Sequence, residues 1–146
     1  TFNHIPKKGE FIETIMNEGC PAYVRKQTIT PSEAAILIRN AGGKVVLAHP
    51  VAYKYEDNLT DEEILKIVKD MQADGIEANY IYIDRNSNKI NEVEKWNEFA
   101  KEHNLMVTLG SDFHNKDEIH PKVGLIGEDI NLNDDILENI ISNLNN

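Results

Sequence analysis

The chain has 146 residues, of which 40% are apolar and 27% charged, with 8 Gly and 5 Pro; this is one domain's length, and the composition excludes collagen-like, low-complexity and disordered classes. Lys and Arg number 15 against 25 Asp and Glu, a formal charge of −10, so the surface repels nucleic-acid backbones and anionic lipid at long range while a metal or local patch can still hold one phosphate. The single cysteine, Cys20, excludes an intrachain disulfide framework, and no apolar run reaches the length of a membrane span; the expectation is a cytoplasmic protein without a membrane partner.

The chain opens Thr1-Phe2-Asn3-His4 with no initiator Met, signal segment or tag pattern, so a piece of something longer is expected. No repeat or Gly/Ser/Pro-rich linker divides it, and residues 1–146 read as one unit. Residues 1–29, with a turn and extended stretch at Cys20-Pro21-Ala22-Tyr23-Val24, are expected to form a lid or insertion segment, and 30–146 to be built of β-α units. Thr30-Pro31-Ser32-Glu33 is a capping box with Pro at the first helical position. It opens a helix to about Ala41, with Ala34, Ala35, Ile38 and Ala41 on its apolar side and Gly42-Gly43 as its stop. Lys44-Val45-Val46-Leu47-Ala48 suits a strand buried on both faces, ending at His49-Pro50.

The cycle then repeats. Thr60-Asp61-Glu62-Glu63 is a second capping box, followed by the helical stripe Ile64, Leu65, Ile67, Val68 and Met71. The acidic residues Glu56 and Asp57 before it read as loop. Ile76-Glu77-Ala78 is a brief strand, a third helix is expected from about Ser87 to His103 with Ile90, Val93, Trp96 and Ala100 buried, and Leu105 to Leu109 make the next strand. A last helix follows the cap Asn133-Asp134-Asp135, with Ile136, Leu137, Ile140, Ile141 and Leu144 in its stripe. Alternating strands and helices give an α/β fold with parallel strands and right-handed crossovers.

In such folds chemistry sits at the carboxyl ends of the strands. Those ends deliver His49, Glu77, and the pair Asp112 and His114. Residues two apart in extended backbone point to one side, so Asp112 and His114 can offer oxygen and nitrogen to one ion, with His49 adding a second imidazole; mixed ligands of this kind suit Zn, Mn or Fe. Each also has a plainer reading: a His before Pro can simply fix a loop, Asp-x-His recurs by chance, and Glu77 can be a structural carboxylate. His103 at a helix end can bind free carbonyls. His120 is a loop residue and a reserve ligand by its closeness to His114, while Tyr80, Tyr82 and Arg85 either line a pocket or form a solvated, partly packed loop. No Walker loop, Gly-x-Gly-x-x-Gly, Gly-x-Ser-x-Gly elbow or paired-cysteine zinc site is present.

Pro21-Ala22-Tyr23-Val24, Gly42-Gly43 leading to Ala48-His49-Pro50, Gly75-Ile76-Glu77, and Gly110-Ser111-Asp112-Phe113-His114 together resemble, in order, the C-terminal half of PHP (polymerase and histidinol phosphatase) phosphoesterases. Within that family the similarity is greatest to small stand-alone enzymes acting on nucleoside 3′,5′-bisphosphates and short RNA ends. The resemblance implies the C-terminal part of a distorted (β/α)7 TIM-like barrel, a cluster of divalent Mn, Fe or Zn ions, and hydrolysis of a phosphoester by metal-activated water. It implies metal ligation by His49, Asp112 and His114; contacts to a small phosphorylated substrate, a nucleotide among the candidates, are expected from His4, Glu77, Arg85 and His120.

The departures are specific. The family's opening His-x-His and its further ligands have no counterpart, since the only His before His49 is His4; His4-Ile5 lacks the Arg-containing start of the family's Arg-x-His-Ile segment; and Tyr80, Tyr82, Arg85 and Asn88 stand where relatives carry histidines. A fragment with an incomplete metal cluster is therefore expected, weak or inactive alone, partnered by the missing N-terminal half and self-associating through exposed edges. The alternative from another class is a non-catalytic binding or scaffold module of the same fold; a third is a barrel metallohydrolase acting on amides.

Overall fold

The computed structural model describes residues 7–84, 86–113, 138 and 140–142. His4, Arg85, His114 and His120 lie outside the described residues, as do the cap and Leu144 of the expected last helix, of which 138 and 140–142 are helical. The N-terminal segment forms a short helix α1 (Lys8–Phe11) running into a π-helical turn, Ile12–Met16. Helix α2 (Pro31–Asn40) and helix α4 (Asp61–Met71) begin at Thr30 and Thr60, and each has a complete capping box. Thr30 Oγ1 accepts from the Glu33 amide at 3.2 Å while Glu33 Oε2 accepts from the Thr30 amide at 2.7 Å. Such a cap contributes about 1 kcal/mol by satisfying amides that the first turn leaves without partners.

Strands β1 (Val46–Leu47), β2 (Gly75–Asn79) and β5 (Met106–Leu109) make a parallel sheet in the order β1-β2-β5. Leu47 registers with Ile76, Glu77 with Thr108 and Asn79 with Leu109, with an irregularity between Glu77 and Asn79. The core holds Trp96, Ile64, Ile76, Val45 and Val51, with Leu47, Val68, Ala78 and Ala100. Helix α2 packs on α4 rather than on the sheet: Ser32 Oγ donates to the Asp70 carbonyl, and Arg39 donates to the Met71 and Gln72 carbonyls at the end of α4. Ala35 is buried as expected, but Ile38 is exposed together with Ile36 and Leu37.

Two expectations are corrected. Pro50 does not merely end a strand: its fixed φ suits the first position of an unforeseen helix, α3 (Pro50–Glu56), which absorbs Glu56. Likewise, no helix starts at Ser87. Strands β3 (Ile81–Ile83) and β4 (Lys89–Asn91) pair as an antiparallel hairpin, placing Ile90 opposite Tyr82, and helix α5 (Val93–Glu102) begins only afterwards. The Asp84 carboxylate accepts from the Asn86 and Asn88 amides, both at 2.8 Å, and Ser87 takes a left-handed φ of 64°, which builds a turn instead of a helical start. Among the described residues no helix is long and apolar enough to cross a membrane.

Candidate functional site at the strand ends

The register explains why three separate segments meet. His49 follows β1 by two residues, Glu77 lies within β2, and Asp112 follows β5 by three, so all three reach the carboxyl edge of one parallel sheet. His49 and Asp112 both occupy left-handed backbone, with φ of 31° and 51°. For residues other than Gly this conformation costs about 1–3 kcal/mol and persists where the surroundings impose it, commonly at functional sites.

Glu77 holds the centre. Its Oε2 accepts from the His49 amide at 2.8 Å, tying the end of β1 to β2. Burial pushes the Glu77 carboxyl up; the His49 amide and the His49 imidazole oppose this, and the Asp112 carboxylate adds to it. Both flanking residues therefore lie within electrostatic reach of Glu77. Gly110 makes the room: a Cβ there would stand 2.0 Å from Glu77 Oε1.

The His49 imidazole sits between two tyrosine rings, with centroid distances of 5.5 Å to Tyr53 and 5.8 Å to Tyr80. Its Nδ1 is buried without a hydrogen-bond partner, so the ring's polar demand is open to a ligand. Tyr80 is 5% exposed, and its hydroxyl donates to Asp112 Oδ2 at 3.3 Å. Burial first, then the Asp112 carboxylate, raises the Tyr80 phenol, so it remains a neutral donor; the Tyr53 phenol is raised by burial, with smaller contributions from Asp57 and Glu77. Tyr82 is also 5% exposed and donates to Glu56 Oε1 at 2.9 Å. The solvated-loop reading of Tyr80 and Tyr82 is thus overturned: both rings lie in the core, because β3 continues directly from β2.

Helix α3, whose N-cap is His49, is fastened from its far end. Lys54 Nζ reaches Glu92 Oε1 at 3.1 Å and Asp61 Oδ1 at 3.5 Å, while Lys95 Nζ reaches Asp61 Oδ1 at 2.7 Å. His103 caps the end of α5 edge-on to Phe99, and the Cys20 thiol donates to the Glu13 carbonyl; neither side chain is drawn into the strand-end cluster.

Chemically, the edge offers an imidazole, two carboxylates and a phenolic donor. An imidazole nitrogen and a carboxylate oxygen are donors of the kind a borderline divalent cation takes, and His49 Nδ1 is buried without a hydrogen-bond partner. Among the described residues, no three His, Cys, Asp or Glu side chains are close enough together to hold a metal by themselves. Sequence reasoning missed Tyr53 and misjudged Tyr80; Gly110, a small residue suited to close approach, admits the Glu77 carboxylate. Tyr80 stands immediately after the β2 strand, where the strand-end rule could have found it.

No family model matches the chain. It is 33% identical over 99 residues to a 3′,5′-nucleoside bisphosphate phosphatase of Chromobacterium violaceum, a match covering 68% of this chain and 33% of that protein. To a 5′-3′ exoribonuclease of Haemophilus influenzae it is 27% identical over 113 residues, covering 75% and 38%. A crystal structure from Bifidobacterium adolescentis, of a protein described as a metal-dependent phosphoesterase, matches with a TM-score of 0.57 and 25% identity over 87% of this chain and 41% of that one. The chain therefore spans between 33% and 41% of the length of these relatives.

Proposed function

We propose that this chain, which belongs to the PHP-type phosphoesterases, supplies part of a metal-dependent active site that hydrolyses a phosphate ester, with a nucleotide or short oligonucleotide as substrate. The observation that carries the reading is the meeting of His49, Glu77 and Asp112 on one strand edge, two of them in strained left-handed backbone. In this reading His49 and Asp112, joined by His114, hold divalent Mn, Fe or Zn; Glu77 anchors the His49 backbone beside the substrate, and His4, Arg85 and His120 contact the phosphorylated ligand. When bound, such ions neutralise charge on the phosphate oxygens and lower the pKa of water. The chain's own residues orient this chemistry: Tyr53 and Tyr80 fix the imidazole plane, and Gly110 leaves the Glu77 carboxylate its place.

The same reading makes the chain the C-terminal part of a cytoplasmic distorted (β/α)7 barrel, with 30–146 as its β-α units and 1–29 as a lid or insertion segment. The outer strands β1 and β5 are where further strands would add, and the chain alone would self-associate there. The test is a titration of the chain with Mn(II) and Zn(II), beside a His49→Ala, Asp112→Ala double variant, followed by phosphate release from a nucleoside 3′,5′-bisphosphate. Metal binding lost in the double variant, with slow phosphate release by the chain, is the expected result. Equal binding by both proteins, or by neither, overturns the reading.

A further inference from the structure

The β3–β4 hairpin and the end of α3 wall a groove of about 300 Å3 lined by Tyr55, Glu56, Tyr82, Asp84 and Asn86. It adjoins the strand-end site, since Tyr82 stands two residues past Tyr80, whose ring packs on His49. Both of its rings are held in place. Tyr55 and Tyr82 stack with centroids 6.0 Å apart and planes at 21°. Tyr82, 5% exposed, donates to Glu56 Oε1 at 2.9 Å, and Tyr55, 48% exposed, donates to Glu92 Oε1 at 3.0 Å. A half-exposed aromatic ring, fixed at its hydroxyl and backed by a buried one, is a platform that loses little freedom when a flat ligand lies against it.

The polar lining narrows the ligand. Glu56 and Asp84 supply two carboxylates, and none of the described lining residues is cationic, so a phosphate is repelled from the groove and a neutral group admitted. Asp84 is committed to its own turn, accepting from the Asn86 and Asn88 amides and from the Asn88 side chain, each at 2.8 Å. Glu56 accepts from Tyr82 on one oxygen; a carboxylate has about four acceptor sites, so it can take two further hydrogens side by side. Lys54 Nζ, 5.9 Å from the Tyr55 ring centroid and paired with Glu92, already sets a positive charge against that ring, which disfavours a second cation.

We propose that this groove is a base-binding subsite selective for guanine: the base lies against Tyr55, and Glu56 accepts from its N1–H and its N2 amine. The inference rests on the nucleotide reading above and deepens it. Adenine and cytosine present no such pair of adjacent donors, so Glu56 sets the preference.

An NMR titration of the chain with guanosine, adenosine, cytidine and spermidine, in EDTA, reads the groove without phosphate or metal. Guanosine is expected to shift the Tyr55, Glu56 and Tyr82 amides saturably and to bind about tenfold more tightly than adenosine or cytidine, the effect of hydrogen bonds to a charged acceptor. Tyr55→Leu weakens every nucleoside about tenfold, because stacking on an aromatic ring does not depend on the base. Glu56→Gln, which keeps an acceptor for Tyr82, abolishes the guanosine preference and leaves adenosine affinity unchanged, with the rest of the amide spectrum preserved. Equal affinity for guanosine and adenosine, a preference that survives Glu56→Gln, or shifts confined to other residues overturns the inference; so does spermidine binding in place of guanosine, which assigns the groove to organic cations. Failure of the metal titration described above refutes the metal-dependent reading without touching this result. A silent guanosine titration refutes the subsite, while metal binding and phosphate release still report on that reading.

Discussion

Replacing Gly110 by Ala isolates the fit between two strands at the site. The added Cβ would lie 2.0 Å from Glu77 Oε1 and 2.9 Å from its Cδ, so the carboxylate has to leave. In leaving, it gives up the 2.8 Å hydrogen bond from the His49 amide. A hydrogen bond to a charged group contributes about 1.5–3 kcal/mol, and the half-buried position of Glu77 argues for the lower part of that range. Gly110 does not use left-handed backbone, so Ala adds no conformational strain and restricts the unfolded chain, offsetting about 0.4–1 kcal/mol. The net expectation is a loss of about 1 kcal/mol, which for a domain of this size lowers the thermal midpoint by roughly 3–4 °C. Urea and thermal unfolding of wild type, Gly110→Ala, Glu77→Ala and the double variant measure it. In the Glu77→Ala background the same glycine substitution should cost nothing or stabilise. Equal losses in the two backgrounds, or no loss in the first, would show that Glu77 does not occupy the space Gly110 leaves.

Two further outcomes follow from charge. Because the folded Glu77 carboxyl is raised by burial, the folded state binds its proton more tightly than the unfolded chain; the associated stability is complete below the ordinary Glu value and is lost as pH rises through the raised one. Glu77→Gln, which keeps an acceptor for the His49 amide, should remove that decline, and pH-dependent urea midpoints parallel to wild type would contradict it. Glu92 behaves oppositely: burial raises it, but hydrogen bonds from Lys54 and Tyr55 and the charges of Lys95 and Lys54 outweigh burial and leave it lowered. Its contribution is present above the ordinary Glu value and lost as pH falls through the lowered one. Glu92→Gln should cost about 1 kcal/mol near neutral pH and less in 1 M salt, since the network is partly exposed; a salt-independent loss would assign the effect to packing.

Much of the scaffold was legible because its signals are local. Thr30 and Thr60 carry complete capping boxes in four residues, β1 and β5 lie inside the short apolar runs that suggest them, and β2 extends the expected Ile76–Ala78 by one residue at each end. The meeting of His49, Glu77 and Asp112 followed from a rule about strand ends rather than from any one motif. The hairpin failed for a physical reason: Ile90, Val93, Trp96 and Ala100 keep a helical spacing, yet the Asp84 carboxylate takes the Asn86 and Asn88 amides and holds Ile90 in a strand. Tyr80 and Tyr82, following the Glu77 strand, read as a pocket lining or a solvated, partly packed loop, whereas their rings are absorbed into the core. The exposed Ile38 and Ala41 show the converse error, where an apolar stripe implied more burial than α4 supplies.

The brevity of β1 gives the site an unequal mechanical character. His49 hangs from two paired residues, Val46 opposite Gly75 and Leu47 opposite Ile76, while Asp112 follows a strand of four. The Asp74 carboxylate reinforces the start of β1 by accepting from the Val45 amide at 2.7 Å, and beyond Leu47 the Glu77 carboxylate accepts from the His49 amide. A sub-global opening that peels β1 away would therefore release His49 while β2 and β5 stay zipped, so hydrogen exchange at the His49 amide should outpace that of Ile76 and Val107. The imidazole side of the site is its hinge side, and the carboxylate side its fixed jaw.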